Sequence, residues 1–227
     1  PGVLAEYVVL PADALVKAPV SLSDLEAATL PIAALTAWYP LMELGKLRAG
    51  QSVLTQGTGG VSLFGIQFAR MFGARAIITS RDAGKLQRAA QLGATDLINT
   101  REHPQWAERA LELTGGVGVD HILDTIGGDS IRQSVEAAAA GGRITSVGFL
   151  GSSEANFSIF SLNMKRVRIE GITVAPRSVF ERMNRAIDEH GGLKPVIDSV
   201  YPFEQAPAAF AHLERGPFGK VVIEIGR

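Results

Sequence analysis

Residues Ser52–Phe72 read SVLTQGTGGVSLFGIQFARMF, and this stretch decides the fold. A β-prone run, Val53-Leu54-Thr55, stops at Gly57-Thr58-Gly59-Gly60-Val61-Ser62, and a helical pattern starts at once. Strand, glycine-rich turn and helix N-terminus, in that order, form the geometry that holds a dinucleotide pyrophosphate. Each residue type has a task. Gly57 permits the tight turn, and Gly59 lacks the Cβ that would block backbone approach to phosphates. Ser62, at the third position of G-x-G-x-x-G, is small enough for close helix–strand packing. Free amides and the positive dipole end at the helix start attract the diphosphate.

Outward from this stretch the signals alternate. Ala76–Ser80 reads as a buried strand, Ala83–Leu92 as a helix closed by Gly93, and Asp96–Asn99 as a short strand. Pro104–Leu113 reads as a helix with proline in its first turn, where the missing N–H costs nothing. Val119–Asp124 is the next strand, Ser130–Ala140 a helix ended by Gly141-Gly142, and Arg143–Val147 another strand. The strand Arg168–Val174 and the helix Val179–His190 complete the pattern. Repeated β-α-β units with continuous apolar strands predict an α/β fold, a doubly wound parallel Rossmann sheet covered on both faces. Its crossovers are expected to be right-handed. The ends follow another rule. Leu4–Leu10, Ser199–Phe203 and Lys220–Ile225 read as antiparallel-type strands, with a helix Ala206–Leu213 between the last two. They are expected to belong to a second module into which the doubly wound domain is inserted.

Composition narrows the function classes. The 227 residues are 46% hydrophobic and 20% charged with net charge -1, so neither a nucleic-acid-binding basic excess nor an acidic tail is present. The chain has no cysteine, which removes disulfides, thiol nucleophiles and Cys-ligated zinc from its repertoire. No apolar run reaches the roughly 18 residues of a membrane span. A cytoplasmic protein is the default expectation. The sequence opens on Pro1 rather than Met, and a fragment of a longer chain is expected.

The end of the second strand bears on the cofactor. A carboxylate about 20 residues past the glycines accepts the ribose 2′-OH of NAD and repels a 2′-phosphate. Here that strand ends Thr79-Ser80-Arg81-Asp82, with Lys85 one turn on. Ser80 can donate to a phosphate, and Arg81 and Lys85 supply charge, so NADP(H) is the expected cofactor. The competing reading makes Asp82 the ribose ligand and Arg81 a solvated charge. The four histidines, His103, His121, His190 and His212, show no metal-ligand spacing. His190 and His212 read as solvated helix ends and His121 as a packed strand residue. Trp38-Tyr39 reads as core, although Tyr39 lies one turn after Thr36.

Several segments resemble the medium-chain dehydrogenase/reductases, in particular their zinc-independent quinone oxidoreductase-like branch. They are Ala5–Pro19 (AEYVVLPADALVKAP), Ala27–Leu41 (AATLPIAALTAWYPL), Gly50–Ala69, Gln91–Glu102 (QLGATDLINTRE), Gly118–Gly128 (GVDHILDTIGG) and Phe218–Gly226 (FGKVVIEIG). The resemblance implies a GroES-like substrate domain interrupted by a dinucleotide-binding domain, with most of the former absent here. Residues 1–25 would end the GroES-like domain, 26–175 would form the Rossmann domain, and 176–227 would supply a connecting helix and GroES-like strands. By position, Thr36 resembles the threonine beside the nicotinamide, and Gly57-Thr58-Gly59-Gly60-Val61 the pyrophosphate turn. Ser80, Arg81 and Lys85 resemble the 2′-phosphate pocket, Thr125-Ile126 the adenine-side strand end, and Gly148-Phe149-Leu150 the nicotinamide-side loop. Lys220 resembles a further cofactor-side position.

Two departures stand out. Thr100 occupies a place where many NADPH-binding relatives have tyrosine, which would remove one phosphate contact or move it to Arg101. Pro40 falls in mid-helix and removes the amide that would bond the Thr36 carbonyl. That carbonyl would then be free beside the nicotinamide carboxamide. Ile32 stands where zinc-dependent relatives place their last protein ligand, and it cannot coordinate. The resemblance thus implies NADPH-dependent hydride transfer to a quinone, enone or related small carbonyl without a catalytic metal, and a homodimer paired through the Arg168–Val174 edge. No catalytic residue is assigned. A zinc-type alcohol dehydrogenase and a noncatalytic NADPH sensor are the competing expectations.

Overall fold

The computed structural model describes residues 2–226; Pro1 and Arg227, the outer bounds of the two expected end segments, lie outside them. A short helix α1 (Asp24–Ala27) opens on a capping box, in which the Ser23 hydroxyl accepts from the Glu26 amide and the Glu26 carboxylate from the Ser23 amide. π-helical turns over Leu30–Ala34 and Tyr39–Leu44 then flank an α-helical turn, α2 (Leu35–Trp38). From there strand and helix alternate: β1 (Ser52–Gln56), α3 (Gly60–Met71), β2 (Arg75–Ser80), α4 (Ala83–Gln91), β3 (Asp96–Asn99) and α5 (Trp106–Leu113). β4 (Val119–Asp124), α6 (Asp129–Ala137), β5 (Ala138–Ser146), α7 (Ile159–Lys165), β6 (Arg168–Gly171) and α8 (Arg177–His190) follow. β7 (Ile197–Pro202), α9 (Ala206–Glu214) and β8 (Lys220–Glu224) end the chain.

Six strands form one parallel sheet in the order β3-β2-β1-β4-β5-β6. The pleat sorts neighbouring apolar residues to opposite faces. Val53, Ala76, Ile78 and Leu123 pack with Leu35, Trp38, Phe68 and Met183 on one side. Leu54, Ile77, Ile98, Ile122 and Ile144 pack with Trp106, Ala110, Ile131 and Val135 on the other. Continuous apolar strands are therefore covered twice, as a doubly wound sheet requires. Strand order reverses between β1 and β4, so a crevice opens at their C-terminal ends, over Gln56-Gly57 and Asp124-Thr125.

Five expectations are corrected. Leu4–Leu10 forms no strand; Tyr7 and Val9 are fully or nearly fully exposed, because no strand among the described residues runs beside them to pair with. β7 and β8 are parallel, not antiparallel, since α9 carries the chain back as a crossover. α6 stops at Ala137 and β5 starts at Ala138, so Gly141-Gly142 lies inside a strand. Ala138 and Ala139 are buried there, and a Cβ on Gly142 would stand 2.9 Å from the Val119 and Ala139 carbonyls. α5 starts at Trp106, leaving Pro104 ahead of the helix. β6 ends at Gly171 rather than Val174, because its partner β5 ends at Ser146. Among the described residues no helix is long and apolar enough to cross a membrane.

Candidate functional site

β1 ends in a sharp turn at the crevice. Gly57 takes φ 73°, and its amide donates to the Thr79 carbonyl at 2.8 Å, which pins the turn to the end of β2. Thr58 is buried, and Gly59 is the N-cap of α3. A Cβ at Gly57 or Gly59 would meet nothing within 4 Å, so the turn presents bare backbone to open space. The Leu63 amide makes a helical bond back to Gly59, leaving the Gly60, Val61 and Ser62 amides ahead of it at the helix mouth. Bare backbone and leading amides fit a diphosphate. Ser62 does more than stay small: its hydroxyl donates to the Gln56 carbonyl at 2.5 Å. Room for a side chain on the helix is lacking at Gly65, where a Cβ would stand 2.8 Å from Thr55 Cγ2.

Across the crevice, a buried polar knot shapes the second wall. Asp124 is fully buried, and its Oδ1 accepts from the Ile126 and Gly127 amides at 3.1 and 2.9 Å. Its Oδ2 accepts from Ser134 Oγ at 2.7 Å and from Gln56 Nε2 at 3.2 Å, and Gln56 also donates to Ser130 Oγ at 2.8 Å. Thr125 Oγ1 donates to the Gln56 carbonyl, so β1 and β4 are stitched together directly beneath the crevice. The Gly151 amide donates to the Ile126 carbonyl at 2.7 Å, which brings Thr125-Ile126 and the Gly148-Phe149-Leu150 loop side by side. A Cβ on Gly148 would stand 2.5 Å from the Thr125 carbonyl. Phe149 and Leu150 are exposed. No spacing in the sequence links Gln56, Asp124, Ser130 and Ser134; a polar residue at the end of an otherwise apolar strand marks Gln56 and Asp124, and nothing local marks the two serines of α6.

The α4 side carries charge. Asp82 caps α4 by accepting from the Lys85 amide at 3.0 Å, and that bond, with the nearby Lys85 and Arg101 charges, holds its carboxyl below the ordinary range. Ser80 Oγ accepts from the Asp82 amide at 3.1 Å, and Arg81 is exposed beside it. Lys85 points its ammonium at the Gly216 carbonyl. Lys220 crosses Gly60, where a Cβ would stand 2.8 Å from its Cδ and 3.0 Å from Ala33 Cβ. The structure thus gathers Gly57 to Val61 with Lys220, Thr125-Ile126 with Gly148 to Leu150, and Ser80 with Arg81 and Lys85.

Thr36 is buried in α2, which packs on α3. At Pro40 the helix does not break but widens into π turns: Tyr39 still bonds Leu35, and the Gly45 amide bonds the Pro40 carbonyl. Pro40 has no amide to give the Thr36 carbonyl, and the wider turn absorbs the ring. Trp38 is core, edge-on to Phe68 at 5.1 Å, with Tyr39 half-buried beside it. His121 is packed and shares a 3.2 Å contact with Gln51 Oε1, and burial holds its imidazole below the usual pKa. His212 is not a solvated helix end; Asp198 and Tyr201 hold it.

A zinc ion does not fit these residues. No group of three or more His, Cys, Asp or Glu side chains among the described residues could hold a metal ion, and Ile32 offers no donor atom.

Residues 60–189, more than half of the chain, match the family described as zinc-binding dehydrogenase. A zinc-type alcohol dehydrogenase-like protein of Schizosaccharomyces pombe is 41% identical over 232 residues, covering 99% of this chain and 66% of that protein. Among solved structures, a candidate alcohol dehydrogenase of Sinorhizobium meliloti 1021 superposes with TM-score 0.94 at 51% identity, covering 99% of this chain and 65% of its own. An NAD-dependent alcohol dehydrogenase superposes with TM-score 0.87 at 38% identity, covering 99% and 66%. The chain therefore spans about two thirds of the length of each of these three relatives.

Proposed function

The chain belongs to the zinc-binding dehydrogenase family, and from that premise we propose that it is the cofactor-binding portion of an NADPH-dependent oxidoreductase acting on a quinone, enone or related conjugated carbonyl. The observation that carries this is the bare glycine turn at Gly57–Gly59, open above and set at the reversal of strand order. The nicotinamide supplies the hydride, and these residues supply position and charge. Gly57 to Val61 receive the diphosphate, Thr125-Ile126 and Gly148 to Leu150 form the opposite wall, and Thr36 faces the nicotinamide end. Ser80, Arg81 and Lys85 take the 2′-phosphate, where the Lys85 and Arg101 charges already bear on the Asp82 carboxylate. No step is assigned to a metal, because the described residues assemble no donor set for one. Residues 1–25 and 176–227 are assigned to a GroES-like module around the Rossmann domain at 26–175.

Fluorescence titration with NADPH and NADH tests the cofactor. NADPH is expected to bind tighter, and NADH binding about tenfold tighter would overturn the choice. That outcome would favour the second reading, in which the ionised Asp82 accepts a ribose hydroxyl. Turnover tests the rest: this chain alone is expected to bind NADPH yet reduce quinones poorly, and full kcat would refute it. We also assign homodimerisation to the β6 edge, whose outer side no strand among the described residues covers and beside which α7 exposes Ile159, Phe160 and Met164. Sedimentation showing a monomer at every concentration would remove that assignment.

A further inference from the structure

Gly216–Lys220, between α9 and β8, reaches out of its own two-stranded sheet and lies on the glycine turn. The Gly219 amide donates to the Thr58 carbonyl at 3.0 Å, and Gly59 and Gly219 form an isolated parallel bridge. Only glycine fits at 219, which has φ 94° and would place a Cβ 2.5 Å from the Val196 carbonyl oxygen. Lys220 follows directly, so its side chain covers Gly60 at the mouth of α3.

Asp198, on β7, holds this strap in place. Its Oδ1 accepts from the Phe218 amide at 3.3 Å and faces Arg88 Nη1 at 3.6 Å. Its Oδ2 lies 3.1 Å from His212 Nε2, and His212 Nδ1 lies 3.1 Å from the Tyr201 hydroxyl. With Nε2–H donating to the carboxylate, Nδ1 is left to accept from tyrosine, so every member of the relay has a partner. The Arg88 guanidinium sits 4.0 Å from the centroid of the Phe218 ring, which is buried. Lys85, one turn earlier on α4, donates to the Gly216 carbonyl. The strap is thus gripped at Gly216 and Phe218 by α4 cations and anchored by one carboxylate from its own module. The Asp198 and His212 side chains are each 17% exposed, so water competes little for the hydrogen bond between them.

We propose that Asp198 is a positioning residue for the dinucleotide phosphates: it fixes the Gly216–Lys220 strap against the glycine turn, so that Lys220 forms the outer wall of the phosphate cradle. This assignment rests on the dinucleotide reading above. Removing the carboxylate strands the Phe218 amide and frees Arg88 and His212. The strap then keeps its backbone bonds at Gly219 and Lys220 and the Lys85 bond at Gly216.

The test is Asp198→Ala in the full chain, read by amide hydrogen exchange at Phe218 and Gly219 and by calorimetric titration with ADP and with 2′-AMP. Faster exchange at both amides and about tenfold weaker ADP binding are expected, because one charge-assisted phosphate contact is lost. Binding of 2′-AMP, which carries no diphosphate for the strap to cover, is expected not to weaken, since at the 2′-phosphate the strap only competes for Lys85 through the Gly216 carbonyl. Asp198→Asn, which keeps an acceptor for Phe218 but no charge, should fall between. Arg88→Met, at a half-exposed side chain, should repeat the exchange and ADP results, and it keeps the test decisive should the Asp198 variants fail to fold. Unchanged ADP affinity in a folded variant, unchanged exchange, or an equal loss for 2′-AMP in Asp198→Ala overturns the proposal. A native chain that binds neither nucleotide overturns the dinucleotide reading and this assignment with it; exchange at Gly219 then still reports whether Asp198 holds the strap, so the two failures are told apart.

Discussion

Gly59 and Gly65 lie in one strand–turn–helix unit and demand glycine for opposite reasons. At Gly59, φ is -80° and a Cβ would meet nothing within 4 Å, so the fold itself tolerates a side chain there. At Gly65 a Cβ would meet Thr55 Cγ2 at 2.8 Å and Leu123 Cδ1 at 3.1 Å. Gly59→Val should therefore melt like the native chain yet lose at least about tenfold in NADPH affinity, since the added methyls occupy the space of the phosphates. Gly65→Val should do the reverse, costing about 2 kcal/mol of stability by overpacking at the strand face. Thermal melts paired with cofactor titration separate the two. Equal behaviour of both variants would contradict this division. Gly57 and Gly59 were legible because their demand is local to the turn. The demand on Gly65 comes from Thr55 and Leu123, which only folding brings to it.

At the scale of the element, apolar runs located the six sheet strands, and the errors fell where a neighbouring element, present or missing, overrides propensity. An alanine run at residues 137–140 favours helix, yet it changes to strand at Ala138 because β4 needs a partner there. Pro40 disfavours an α-turn, and the chain answers with π turns because Trp38 and Leu41 are already fixed in the core. β4 also carries a titration into the core. His121 is neutralised by burial, with Arg143 lowering and Asp120 raising its pKa to lesser degrees. Above the ordinary imidazole range both folded and unfolded states are neutral there, and His121 adds no pH dependence. As pH falls below about 6.5, the unfolded chain takes up a proton that the folded chain resists, so stability declines until the depressed folded value is passed. His121→Gln should flatten the dependence of unfolding free energy on pH between about 7 and about 5. Denaturant titrations at a series of pH values measure that slope, and an identical slope would rule the account out.

In the whole molecule, two constructions join parts distant in sequence. The Gln56–Asp124–Ser130–Ser134 knot ties β1, β4 and α6 below the crevice, and the Gly216–Lys220 strap ties the C-terminal strands above it. Asp124→Ala should cost about 3 kcal/mol, since it leaves the Ile126 and Gly127 amides, Ser134 and Gln56 without their acceptor. Urea unfolding measures this, and a loss below about 1 kcal/mol would show that water replaces the carboxylate. Neither construction is spaced as a motif, since each joins residues separated by tens of positions and united only by the sheet.

The amino-acid sequence by itself determined the doubly wound sheet and the glycine turn, because both arise from short-range periodicity and from glycine's freedom within a few residues. It also excluded cysteine chemistry from these 227 residues. Tertiary structure alone decided where α6 yields to β5, that β7 and β8 run parallel, and that Asp198, His212 and Arg88 converge on the strap. Those outcomes depend on which surfaces meet across the fold, and burial and pairing at long range carry no local spacing to read.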